Sequence, residues 1–379
     1  MVNYVESKDQ RALESQVESR AKEIHTDAYP MSIGEIMSLY RDGEIDIHPE
    51  FQRFFRWSPL QKSKFIESIL LGIPIPSLFV SQREDGVWDV VDGVQRLSTI
   101  FEFTGILKDE KDKEKPHLRL IGTDYLPLLD DKVWEDKKQP KQSLPNSLRL
   151  AFKRAKLDLK IIKKESDQNT KYDLFERLNS LGSHLSDQEM RNCIMVMINR
   201  DFFKWFMDLV KHPSFQTTIA ISDRALDERY DMELALRFII LTREPEKDIR
   251  NIKDIGDYTT KKMRRIASDL DFDRDHVANV FRRTFDILAK VLGPECFQRR
   301  DTGRGRGGFL ISVFEVMAIG LGSIITANPD WKQDNALIQR VSKDFWNDKT
   351  FSKYSGSGTS ASSRIPQLIP FARSLFSGK

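Results

Sequence analysis

Cysteine is scarce, the glycine-rich phosphate loop of P-loop enzymes is missing, and no apolar leader opens the chain. Each absence removes a class of protein. The two cysteines, Cys193 and Cys296, lie about a hundred residues apart with no CxxC or His-Cys spacing, which excludes a disulfide scaffold and a structural zinc site. No GxxxxGK[ST] run exists, so the Walker-type nucleotide site is excluded. The start, MVNYVESKDQRALESQ, is charged where a signal peptide would be apolar, and the expectation is a reducing, cytoplasmic setting. Excess charge of one sign is missing too. Lys plus Arg number 60 against 57 for Asp plus Glu, a formal charge of +3, too balanced for a protein that coats nucleic acid along its whole surface. Any such contact is a local patch. Long apolar runs are limited to Phe309 to Ala327, nineteen residues with the single charge Glu315. A buried helix in a helical domain explains that run without stranding the carboxylate in lipid, so no membrane partner is expected.

What is present is enough apolar residue for a core: 40% of 379 residues are hydrophobic and 31% charged, which rules out wholesale disorder and suits one large or two ordinary domains. Residues 5 to 24 read as a polar helix broken by Tyr29-Pro30. Ser32 is an N-cap for a helix with Ile33, Ile36, Met37 and Tyr40 on one side, ended by Asp42-Gly43. Ser58-Pro59 starts a second helix that runs to Gly72. Two strand-like runs, SLFVSQ and VWDVV, are joined by Glu84-Asp85-Gly86, a hairpin signal. The second runs into Asp92-Gly93, after which Leu97, Ile100, Phe101 and Thr104 fall at helical spacing. Residues 108–115 and 131–141 read as a solvated insertion. Residues 149–164 carry seven cations and one anion, and their LDLKII portion alternates like a strand. Beyond residue 170 apolar spacing is helical, in 171–179, 187–210, 230–242, 258–270, 276–292 and 309–327, and 355–363 reads as a flexible loop before a last packed element. The expected fold is α+β: an arm over 1–30, an α+β domain over 31–170 and a mostly α-helical domain over 171–379.

Three stretches carry chemistry. In Val90 to Phe101, a strand ending in Asp-Gly feeds a helix whose first N–H groups suit an anion. Arg96 sits in that helix's first turn, where the dipole disfavours a cation, so a negative group compensates. That group is either a ligand or Asp92 itself, in a salt bridge that needs the glycine only for the turn. In Pro49 to Val80, Gln52, Arg53 and Arg56 interleave with Phe51, Phe54, Phe55 and Trp57, which suits phosphate and base contact or a core with outward arginines. In Tyr172 to Asn192, Asn179 and Gly182 end one helix, while Ser186 and Glu189 have capping-box spacing for the next. Capping alone accounts for both.

Together these stretches resemble the family known as domain of unknown function 262, the GmrS-type N-terminal domain of anti-phage restriction systems, related to the ParB and sulfiredoxin-like fold. Its DGQQR signature is similar to Asp92-Gly93-Val94-Gln95-Arg96. Its QR-x-x-x-W element and PIP run match Gln52-Arg53, Trp57 and Pro74-Ile75-Pro76. Its F-x-x-x-N-x-x-G-x-x-L-x-x-x-E pattern matches Phe175, Asn179, Gly182, Leu185 and Glu189. The resemblance implies a ParB/sulfiredoxin-like domain that binds a nucleoside triphosphate and hydrolyses it with Mg²⁺. Asp92, Gln95 and Arg96 would be catalytic, with Asp92 holding the metal, and Gln52, Arg53, Gly93, Asn179 and Glu189 would bind nucleotide. Val94 departs from the signature, so altered ligand preference or rate is expected with the turn intact. Many relatives carry an HNH-type nuclease, but the six histidines here are scattered, and the chain is expected to lack that cutter. DNA contact is expected at Lys153, Arg154, Lys163, Lys164, Arg304 and Arg306, with an effector protein or a second copy as further partners. The alternative is a module that senses DNA or nucleotide without turnover and regulates a partner. A minority reading is a metal-dependent nuclease built on Asp158, Lys160 and Asp130 or Asp131. The GRGRGG run has no strand before it and is discounted as a dinucleotide site.

Overall fold

A computed structural model of the chain describes residues 8–21, 25–47, 57–109, 112–166, 171–173, 177, 186–299, 307–356 and 358–377. It forms two compact units, Met1–His184 and Leu185–Lys379.

The first unit is α+β. Its elements are α1 (Lys8–Ala21), β1 (Thr26–Ser32), α2 (Ile33–Arg41), β2 (Ile45–Asp46), α3 (Pro59–Leu71), β3 (Leu78–Gln82), β4 (Trp88–Asp92), α4 (Val94–Thr104), α5 (Asn146–Arg154) and β5 (Lys156–Ile162). The five strands make one mixed sheet in the order β1-β5-β3-β4-β2. The proline that breaks the arm in the sequence lies inside β1, with Pro30 opposite Asp158. An edge strand tolerates it because one row of its N–H groups has no neighbour to serve. Three caps read from the sequence are in place. The Ser32 hydroxyl accepts from Glu35 N, Ser58 and Gln61 form a reciprocal capping box, and Gly72 closes α3 in the left-handed region.

Alternation buries one row of the sheet, Leu157, Leu159 and Ile161 of β5 with Leu78 and Val80 of β3, while Lys156, Asp158 and Lys160 stay exposed. The core continues through Phe65, Ile66 and Ile69 of α3 and Leu97, Ile100 and Phe101 of α4. Tyr40 stacks on Phe101 with ring centroids 4.1 Å apart, joining α2 to α4. The basic run 149–164 is not one element, since α5 ends at Arg154 and β5 starts at Lys156. The polar stretch 131–141 is not wholly solvated either. Val133 and Trp134 are buried, and the Trp134 ring meets Phe103 and Phe152 edge-on at 5.6 and 5.5 Å.

The second unit is helical among the described residues. Its longer helices include α6 (Asp187–Ile198), α7 (Arg200–Val210), α8 (Tyr230–Leu241), α9 (Arg274–Leu292) and α10 (Ala361–Ser377). Asn199 divides the apolar run 187–210 in two, ending α6 and accepting from Phe202 N to start α7. Phe238 of α8 and Phe281 and Phe285 of α9 centre the core, their rings 4.7 to 5.4 Å apart. The apolar run around Glu315 is buried there as Ile311–Phe314, a π-helical turn Glu315–Ile319 and a helix Gly320–Ala327. The Glu315 carboxylate accepts from Arg364 Nε at 2.7 Å and Nη2 at 3.0 Å. No described helix is long and apolar enough to cross a membrane. The loop expected over 355–363 is shorter, because α10 already begins at Ala361. Burial pushes the Cys296 thiol up to about 12, which removes it as a nucleophile near neutral pH.

Candidate functional site

The junction of β4 and α4 is built by a bulge and a glycine. In the β3–β4 ladder Val80 faces Val90 and Phe79 faces Asp92, so Val91 is the extra residue, and a bulge of this kind re-aims the side chains beside it. Gly93 follows with φ +101°, and a Cβ there would fall on Leu78 Cδ2. Both backbone and space therefore demand glycine. Gly93 is the N-cap of α4 and no side chain caps the helix. The N–H groups of its first turn have no intrahelical acceptor and carry the positive end of the helix dipole.

Arg96 is 7% exposed. Its Nη2 donates to Asp92 Oδ2 at 2.9 Å, and its Nη1 donates to the carbonyl oxygens of Pro76 and, at 3.2 Å, Ser77. Of the two compensating groups open to the sequence, Asp92 is present. The guanidinium clamps the residues leading into β3 to the end of β4 and the first turn of α4.

Gln95 is arranged differently. Its Oε1 accepts from the backbone N–H of Trp57 at 3.2 Å, while its Nε2 is buried without a hydrogen-bond partner. Trp57 is held in turn by the capping box at Ser58 and by an edge-on contact of its ring with Phe65 at 5.3 Å. Ser98, three residues along α4, has a buried hydroxyl that is also without a partner. Ser98 was missed in the sequence. Its signal was a polar residue one turn from Gln95 among the apolar positions Leu97, Ile100 and Phe101. A second charged group was missed because its members are far apart in sequence: Arg83 reaches Asp89 at 3.3 Å, Asp85 at 3.4 Å and Asp46 at 3.5 Å.

Gln52, Arg53, Asn179, Arg304 and Arg306 lie outside the described residues. Glu189 belongs to the second unit, where its Oε2 accepts from Ser186 N at 2.7 Å and Ser186 Oγ accepts from Glu189 N in return. Its carboxylate serves as half of a cap. Lys153, Arg154 and Lys164 are exposed. Lys163 pairs with Asp27 at 3.3 Å, and that hydrogen bond holds the Asp27 carboxyl below the usual carboxylate range. Lys156 and Lys160 lie on the exposed face of β5 on either side of Asp158, with Lys160 Nζ 5.2 Å from the centre of the Phe79 ring. Strand alternation could have singled them out.

The described residues contain no group of three His, Cys, Asp or Glu able to hold a metal ion, and Asp92 is engaged by Arg96. This arrangement does not fit a resident metal held by side chains. The carboxylates of the nuclease reading upstream of Asp158 have local partners. Asp131 is taken up by Arg119 and Gln142 at 2.6 and 2.7 Å, and Asp130 accepts from Gly122 N at 3.1 Å.

An α+β unit with an uncapped helix start behind a strand defines a domain suited to receiving an anion. Residues 33–196 match the family described as GmrSD restriction endonuclease, N-terminal domain, and this part of the chain is similar to a GmrS-type N-terminal domain. No curated protein and no solved structure matches the chain.

Proposed function

We propose that the first unit binds a nucleoside triphosphate at the Asp92–Arg96 turn and hydrolyses it, with Mg²⁺ entering on the phosphates, as the nucleotide-handling component of a restriction-type anti-phage system. The observation that carries this is the uncapped start of α4, held open by the Arg96 clamp, with the Gln95 amide nitrogen buried beside it without a hydrogen-bond partner. Backbone N–H groups after Gly93 would cradle phosphate oxygens. Asp92 and Arg96 act by holding the turn, and developing charge is met by the helix start and by residues closing the pocket. Gln52, Arg53 and Asn179 are assigned to that closure on family resemblance.

The test is phosphate release from each of the four ribonucleoside triphosphates with Mg²⁺, with and without DNA. Turnover by the wild-type protein, lost in Arg96→Ala material that still melts cooperatively, is the expected result. No turnover and no nucleotide-dependent thermal shift would overturn the reading.

One further observation favours the sensing alternative. Lys153, Arg154, Lys156, Lys160 and Lys164 are exposed, and none has a carboxylate partner within 4.0 Å among the described residues. Exposed cations of this kind suit the phosphate backbone of DNA, and binding there without turnover would leave the nucleotide site to report to an effector.

A further inference from the structure

We infer that the outer side of α3 and the loop laid across it, residues 119–132, form an interaction surface whose occupant is the same surface of a second copy of this chain. The loop is pinned from below. Leu60, Lys64, Glu67 and Leu71 follow one another down one side of α3 at helical spacing, and the loop crosses the middle of that side. Ser63 Oγ accepts from Ile121 N at 2.9 Å. The buried Glu67 carboxylate accepts from the Thr123 hydroxyl and, at 3.0 Å, from Leu126 N. Within the loop, Gly122 N donates to Asp130 Oδ1 and Leu129 N to the Leu126 carbonyl. A carboxylate buried on a helix to satisfy a loop's donors fixes the loop's path, and with it the direction of the side chains that remain.

What the loop holds outward is apolar. Tyr125 is 77% exposed and Leu128 86%, and Leu60, Leu71 and Ile121 are exposed with them. A tip fixed in this way has little freedom to lose on association, and tyrosine among aliphatic side chains suits the centre of a protein interface. The charges select the partner. Asp124 pairs with Lys64 at 3.7 Å and Asp131 with Arg119 at 2.6 Å. Asp130 is engaged by Gly122 N, and Lys132 Nζ donates to the Lys141 carbonyl at 2.6 Å. Every charged side chain of the loop is thus met locally. A polyanion or a strongly charged protein would need opposite charge left over here. A surface with its charges already compensated can meet its own copy across a twofold axis without like-charge repulsion.

Sedimentation velocity of the full chain tests it. The wild-type protein should dimerise reversibly at concentrations of about 10–100 µM. Two double variants, Tyr125→Lys with Leu128→Lys and Tyr125→Glu with Leu128→Glu, alter only exposed side chains, so each should keep the wild-type melting temperature. In each the dimer dissociation constant should rise at least about tenfold, because like charges then face one another. An equimolar mixture of the two variants should restore a dimer, since a basic surface now meets an acidic one. A surface that docks on a different part of the second copy, or on another protein, would not give that recovery. Wild-type protein that stays monomeric throughout would overturn the inference. A dimer indifferent to both variants, or a mixture that stays monomeric, would overturn it too.

Discussion

Single residues in the turn do separate jobs. Gly93 supplies a backbone conformation and a gap over Leu78, so Gly93→Ala faces both strain and a clash. The variant should lose about 2–4 kcal/mol of stability, read as a lower urea midpoint. Gly93→Ala combined with Leu78→Ala should not recover the wild-type value, because positive φ remains. Arg96 is a clamp, buried in its pair with Asp92, which explains how a cation can occupy the first turn of a helix. The dipole's small penalty is outweighed by a carboxylate and two carbonyls.

At the scale of elements, one buried ion pair ties the last helix to the π-helical turn. Glu315 and Arg364 have side chains 1% and 10% exposed, and burial with little water leaves each dependent on the other. Nearby, burial pushes the Tyr230 phenol up to about 12, in keeping with a dry environment. Arg364→Met strands the carboxylate and should cost about 3–5 kcal/mol by chemical denaturation. Adding Glu315→Leu should restore most of the loss, since the replaced pair no longer contains a charge without a partner. A double variant as unstable as the single one would mean that Arg364 acts mainly through its contact with the Thr359 carbonyl.

Across the whole molecule charge is nearly balanced, and local distribution matters more than the total of +3. Between Lys153 and Lys164 six cations share one ion pair, Lys163 with Asp27. Electrophoretic mobility shifts of the full chain with duplex DNA should therefore weaken steeply between low and moderate salt. The triple charge reversal Lys156→Glu, Lys160→Glu, Lys164→Glu should flatten the salt slope by about three contacts. Equal binding at both salt concentrations, or by the triple variant, would end the DNA reading.

The order of elements was legible in the sequence because caps and turns are local. Ser32, Ser58, Gly72, Asp85-Gly86 and Gly93 each act on a few neighbouring backbone groups, and each stands where the residue pattern put it. Alternation in LDLKII was likewise sufficient for β5. The partner of Arg96 was left undecided between Asp92 and a ligand, because an ion pair depends on where Pro76 and Ser77 come to lie. The partner of the Gln95 oxygen is Trp57, 38 residues away, and the partner of Glu315 a residue 49 positions off. Short-range backbone chemistry was written in the sequence. The choice among charged and polar partners was made by tertiary folding, because hydrogen bonds and buried charges are settled by distance and exclusion of water rather than by spacing along the chain.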